Sequence, residues 1–203
     1  MAENTLQKIH EIATAEFLEK GFRGASLREI VKKAGVTTGA FYGYYKSKEE
    51  LFSALVKTHA DYVLNYFTGL VAEFMKIPKS EWSHNMSAYS KEGMVHIYEY
   101  AWEHKDAFRL ILNASEGTEF ENFIHNIVEV EIEITHIFYN EIEKQGYTPF
   151  AFDPTLEHTI ISGEFSALFE LIVHDTPFET GRKCAEELHD FYEAGWASVL
   201  KLD

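Results

Sequence analysis

The sequence predicts an all-α protein. Ser/Asn-x-x-Glu/Gln pairs suited to capping helix starts recur, apolar residues return at three- and four-residue spacing, and every candidate element along the 203 residues is helical. With 46% hydrophobic residues the chain can bury a substantial core, as one large or two small domains. There is no internal repeat, low-complexity tract or flexible linker. Taken in order, Asn4 with Gln7 is expected to cap a first helix, with Leu6, Ile9, Ala13 and Phe17 inward and Gly21 ending it.

The next stretch, SLREIVKKAGVTTGAFYGYYKSKEEL from Ser26 to Leu51, is the most informative. Ser26 and Glu29 form a capping box that opens a helix at about Leu27. Leu27, Ile30, Val31 and Ala34 then share one face, which turns Arg28, Glu29, Lys32 and Lys33 outward. Gly35 supplies the residue past the helix end where a positive φ is favoured. Thr37 is the expected N-cap of a following helix, roughly Thr38 to Tyr45. Helix, glycine turn, helix is the helix-turn-helix pattern.

By propensity that following helix should not form alone. Gly39 and Gly43 each cost about 1 kcal/mol relative to alanine, and the threonine and aromatic residues around them are mediocre helix formers. Packing must hold it, through Phe41 and Tyr45 at i, i+4. Gly39, Ala40 and Gly43 then centre on the opposite face, with Tyr42 on its flank. A helix with so little side-chain bulk outside can bring its backbone close to another surface, which suits a major groove about 12 Å wide.

AGVTTGAFYGYYKSKEEL, preceded by a capped helix carrying Arg28 and followed by Phe52, resembles the DNA-binding domain of the TetR family of bacterial transcriptional regulators. The resemblance covers about Ile9 to Leu55. It implies base or backbone contacts from Arg28, Thr38, Gly39, Ala40, Tyr42 and Gly43, and phosphate contacts from Ser26, Thr37, Tyr44 and Lys48. Thr38 and Gly43 depart from the pattern, since relatives often carry larger polar or basic residues there, so side-chain readout from this helix is expected to be sparse. The resemblance also implies a double-stranded DNA operator, a small-molecule effector of hydrophobic or aromatic character, and a homodimer that represses transcription and is released by that effector. The expected domains are a three-helix DNA-binding domain at 1–46 and a helical ligand-binding and dimerisation domain at 47–203.

Charge is distributed as such a protein requires. The net charge is -15, yet residues 1–50 hold eight Lys or Arg against seven Asp or Glu, while the rest holds ten against twenty-six. Arg28, Lys32, Lys33, Lys46 and Lys48 cluster in the motif, giving local basic groups for phosphate, while the acidic remainder is repelled by DNA. No secretory signal or apolar run long enough to span a bilayer is evident, so a cytoplasmic protein is expected. Cys184 is the only cysteine, which excludes an internal disulfide and a cysteine-rich zinc site; in a helical pattern it reads as a small buried hydrophobe.

Ser47 with Glu50 starts a long helix, running to about Met75 and broken by Pro78. Further helices are expected at Ser83–Trp102, Lys105–Leu112, Thr118–Gln145, Pro154–His174 and Phe178–Leu200. The larger domain is rich in aromatic residues, and Tyr62, Tyr66, Tyr98, Trp102, Phe123, Phe138 and Phe165, with Phe67 and Phe74, are candidates to line an effector cavity. If Glu99, Glu103, Glu129 or Glu133 faces that cavity, cationic lipophilic compounds become the expected ligands.

A rival reading comes from Glu133 with His136 and Glu186 with His189, two Glu-x-x-His pairs of the kind that hold metal in di-iron bundles, with Glu129 and Glu164 as further ligands. Such pairs also arise by chance on solvated helix faces in a chain with ten histidines. No cofactor or resident metal is expected, and no nucleophilic constellation points to an enzyme. The last two helices read as a dimer interface. Leu188, Phe191, Gly195, Trp196 and Val199, with Cys184, form a stripe, and Gly163, Ser166 and Ala167 offer small residues for close approach. The resemblance implies that these helices pair about a two-fold axis.

Overall fold

The computed structural model of the protein describes residues 2–144 and 153–200. It is all-α, with α1 (Ala2–Gly24), α2 (Leu27–Ala34), α3 (Thr38–Tyr42), α4 (Lys48–Phe74), α5 (Trp82–Glu103), α6 (Lys105–Ala114), α7 (Phe123–Lys144), α8 (Pro154–Val173) and α9 (Phe178–Leu200). A single 3-10 turn at Lys79–Glu81 follows Pro78, where the chain was expected to break. No strand occurs among the described residues, and no helix there is long and apolar enough to cross a membrane.

Gly21 breaks α1 where expected, at φ 69° and ψ 166°; of the boundaries that differ from expectation, three have a clear local reason. The first helix already runs at Ala2, so Asn4 lies within it rather than capping it, and Gln7 donates forward to Glu11 at 3.0 Å. Helix α3 stops at Tyr42, because the Gly43 amide turns back to the Ala40 carbonyl at 3.2 Å and tightens the last turn. Helix α7 starts at Phe123 rather than Thr118, whose hydroxyl donates to the Ser115 carbonyl and accepts from the Phe120 amide. Those bonds hold a turn instead of a helix.

The chain packs into two compact units. The first comprises Met1–Tyr62 and His104–Phe123; the second comprises Val63–Glu103 and Ile124–Asp203. Packing therefore divides the chain elsewhere than the functional boundary expected at 46/47, because α6 lies along α1. In the first unit Ile9, Ala13, Phe17, Ile30, Phe41 and Phe52 are buried. Phe52 is its aromatic hub, with ring centroids 5.1 Å from Phe17, 5.4 Å from Phe22 and 6.2 Å from Phe120. Such offset and edge contacts add to simple area burial.

In the second unit α5, α8 and α9 pack on one another. Gly181 on α9 makes this possible beside Tyr98, since a Cβ there would run into the Tyr98 hydroxyl. The buried stripe of α9 is Gly181, Ala185 and His189. A separate apolar cluster of Phe74, Trp82 and Phe138 is closed by the Trp82 indole donating to the Ile77 carbonyl at 3.0 Å.

Candidate nucleic-acid interface

The helix-turn-helix rests on three local devices. Ser26 Oγ accepts from the Glu29 amide at 3.4 Å and starts α2; Thr37 Oγ1 accepts from the Ala40 amide at 3.1 Å and starts α3. Between them Gly35 adopts φ 67°, and the Gly35 and Val36 amides return to the Lys32 and Val31 carbonyls. That geometry turns the chain sharply from α2 into α3.

Helix α3 is held as its propensities demand. Phe41 and Tyr45 are buried with ring centroids 6.0 Å apart, and the Tyr45 hydroxyl shares a hydrogen bond with the His10 ring at 2.5 Å. On the other side Thr37, Thr38, Gly39, Ala40, Tyr42 and Gly43 are all exposed, as is Arg28 on α2. Ser26, Tyr44 and Lys48 are half-buried. The only large side chain on the bare face is Tyr42, 53% exposed, with its ring edge-on to Phe41 at 5.6 Å.

The basic groups divide into two sets. Arg28, Lys32 and Lys46 are exposed. Lys33 donates to Glu16 at 2.7 Å, and Lys20 donates to the same carboxylate at 2.5 Å. Glu16 has no exposed side chain; the Lys20 and Lys33 ammonium groups outweigh its burial and hold its pKa down at about 2. Lys48 is likewise engaged within the chain. Its ammonium donates to the carbonyls of Phe22 and Ala25 at 2.6 and 3.0 Å, at the end of α1, and stands 4.5 Å from the Phe22 ring centroid. Two of its three N–H groups thus satisfy helix-end carbonyls rather than facing outward. Glu50 completes the start of α4 by accepting from the Lys46 amide at 2.6 Å while its own amide donates to Ser47 Oγ.

Residues 9–55 match the family described as bacterial regulatory proteins, tetR family. The likeness to that family lies in this helix-turn-helix segment. Over 54 residues it is 44% identical to the HTH-type transcriptional regulator AcrR of Shigella flexneri, covering 27% of this chain and 25% of that protein. The fold extends further than the sequence likeness. A transcriptional regulator of the TerR/AcrR family from Aquifex aeolicus VF5 superimposes with TM-score 0.52 at 22% identity, covering 90% of this chain and 96% of that one. The regulator FadR from Bacillus subtilis, solved with stearoyl-CoA, superimposes with TM-score 0.50 at 16% identity, covering 92% and 96%. The chain spans only 25% to 34% of the length of the first curated relatives it matches.

The aromatic residues expected to line one effector cavity are engaged in separate packing contacts. Tyr98 and Trp102 meet on Phe178, with centroids at 6.3 and 5.0 Å, and the Trp102 indole donates to the Thr176 carbonyl. Tyr66 stacks on His96, Phe165 is edge-on to Phe67, and Phe138 stacks on Trp82. Tyr62 and Phe123 belong to the first unit, where Phe123 packs on Phe108. Ordinary core packing also pairs aromatic rings in this way, so aromatic content alone does not mark a cavity.

Glu99 is paired with Arg182 at 2.7 Å, and Glu103, Glu129 and Glu133 are exposed. In the second unit Glu157 is buried, and Glu131 and Glu164 are half-buried. Glu157 accepts from His136 at 2.9 Å through Oε2, while its buried Oε1 has no hydrogen-bond partner. Burial raises Glu131 to about 7. Burial, with the charge of Glu131 second, raises Glu164 to about 8. Glu157 lies in the buried stripe of α8 with Ile161, Phe165 and Leu168, a signal readable in the sequence as an acid on an apolar face.

The Glu-x-x-His pairs are not assembled into a di-metal centre. His136 bonds Glu157, Glu133 is exposed, Glu186 is held by Arg182 at 2.7 Å, and His189 is buried on α9. Among the expected interface residues, Phe191 is 71% exposed and Gly195 is exposed with open space around it. Leu188, Trp196 and Ala167 are half-buried. Gly163 serves the chain itself, since a Cβ there would stand 3.0 Å from the Tyr192 hydroxyl. The side chain of Val199 lies outside the described residues.

Proposed function

We propose that this chain is a ligand-responsive transcriptional regulator of the cytoplasm, which binds a palindromic operator as a homodimer and is released by a small effector. The observation that carries the reading is the exposed face of α3, where Gly39, Ala40 and Gly43 present almost no bulk while Phe41 and Tyr45 anchor the other side. In this reading α3 enters the major groove backbone-first and Arg28 reads a base edge. Ser26, Thr37, Thr38, Tyr42 and Tyr44 meet the sugar-phosphate backbone and groove walls, and Lys48 positions the start of α4 by tying it to the end of α1. Repression follows from occupancy of DNA needed by the polymerase.

Two further observations support the dimer and the effector class. Phe191, Leu188 and Gly195 leave on α9 an apolar face that the buried stripe of Gly181, Ala185 and His189 does not use. The buried Glu157, with half-buried Glu131 and Glu164, favours a cationic lipophilic effector, because the buried Glu157 Oε1 without a partner is costly until a donor or cation reaches it.

Selection of bound duplexes from a randomised pool tests the DNA reading. The expected product is a palindrome with half-sites about 34–36 Å apart, one helical turn or a multiple of it; failure to enrich any sequence overturns it. Thermal-shift measurements with matched cationic and neutral aromatic compounds test the effector class. Greater stabilisation by the cationic set is expected, and equal or greater stabilisation by the neutral set overturns that assignment.

A further inference from the structure

On α7, His125 and Glu129 are one turn apart and share a face; His158 comes to them from α8. His125 Nδ1 and His158 Nε2 are 3.2 Å apart, and Glu129 Oε1 stands 3.9 Å from the first and 3.7 Å from the second. All three atoms lie within 4.8 Å of one another. Ligand atoms about 2.0–2.1 Å from a tetrahedral zinc ion are separated by about 3.3 to 3.4 Å, so the two nitrogens already stand at a coordination edge and the carboxylate needs only a small rotation.

The remaining nitrogen of His158 has its own partner. Its Nδ1 is 3.3 Å from Ser162 Oγ, one turn further along α8, which orients Nε2 toward His125 and Glu129. A hydrogen bond on the far ring nitrogen is the usual support of a metal-binding histidine. By contrast His189, Asp190 and Glu193 all lie on α9, and both oxygens of Asp190 already accept from Lys91 at 2.7 and 2.9 Å.

We propose that His125, Glu129 and His158 form a site for one divalent ion of the zinc class, bridging α7 and α8. Two imidazoles and one carboxylate select zinc, cobalt or nickel over magnesium or calcium, which take oxygen ligands. Three protein ligands leave a fourth position on the half-exposed site for water or an outside donor. The bound ion links two helices of the second unit and stabilises that unit against unfolding.

The test uses the full chain, untagged and stripped with a chelator. Cobalt(II) titration followed by visible absorption, and zinc(II) titration by calorimetry, should give one equivalent per chain and a raised Tm. His125→Ala and His158→Ala should abolish the tetrahedral cobalt spectrum, and Ser162→Ala should weaken affinity about 10- to 100-fold. His174→Ala, at the C-cap of α8 and outside the site, should leave it unchanged. Because the site residues are at least partly exposed, circular dichroism of each variant should match the parent. Absence of stoichiometric binding by the parent, or cobalt binding that survives in the folded His125→Ala, His158→Ala double variant, overturns the proposal.

Discussion

The ammonium of Lys48 donates to the backbone carbonyl of Phe22 at 2.6 Å and stands 4.5 Å from the centroid of that residue's ring. Lys48 begins α4 and Phe22 lies near the end of α1, so one side chain caps one helix and places the start of another. Cation and ring attract, and the carbonyls of Phe22 and Ala25 gain charge-assisted bonds where the helix would otherwise leave acceptors unsatisfied. Lys48→Met should therefore lower stability by about 2 kcal/mol. If Lys48 instead neutralised a phosphate, its loss would reduce the salt slope of log affinity by about 0.9 per contact. The expected result is a lower denaturation midpoint with the slope retained; a reduced slope at unchanged stability would reverse the assignment.

Arg28 is exposed on α2, the first helix of the helix-turn-helix, and a guanidinium can meet guanine O6 and N7 together. Arg28→Ala should cost about 1 to 3 kcal/mol per half-site on the selected operator and much less on scrambled duplex. Anisotropy titrations on both duplexes measure this. Equal weakening on the two would make Arg28 a phosphate contact.

Gly39 has only Thr37 Oγ1, at 4.0 Å, near the position a Cβ would take. Gly39→Ala should therefore stabilise the protein by up to about 1 kcal/mol through helix propensity, while Gly39→Leu should fold normally and lose operator binding through bulk. Undiminished binding by the folded leucine variant would show that α3 does not approach the groove closely.

Glu16 makes the stability of the first unit depend on acid. Its pKa is held at about 2 by Lys20 and Lys33, below the ordinary 4.5 expected on unfolding. The stabilisation is present above about pH 4.5 and is lost as pH falls towards 2. Chemical denaturation across that window should show a loss of stability with acid that is shallower in Glu16→Gln, which should also be less stable near neutrality by about 2 kcal/mol. Identical pH profiles for parent and variant would remove Glu16 from this role.

Phe191, 71% exposed on α9, tests the dimer. Phe191→Glu should place a charge in a desolvated interface and give a monomer mass by light scattering at micromolar concentration, where the parent gives twice that mass. A dimeric, folded Phe191→Glu would move the interface elsewhere.

What the sequence determined by itself is what depends on neighbours within about one helical turn. Ser26, Gly35 and Thr37 set the start of α2, the turn and the start of α3, because a cap joins a side chain to an amide two or three residues away. The inward pair of Phe41 and Tyr45 and the bare face opposite follow from helical period alone. The tertiary structure decided everything that joins distant segments. Lys48 meets carbonyls 23 and 26 residues earlier, Glu16 holds a lysine 17 residues later, and His158 meets a ring 33 residues back. Helix α6 joins the first unit by lying along α1. No local signal specifies those partners, because a lysine or glutamate on a helix face looks the same in sequence whether it meets water, a carbonyl or a buried opposite charge. Only helix packing removes the water and selects the partner, which makes Glu16 a buried ion-pair anchor and Lys48 a cap.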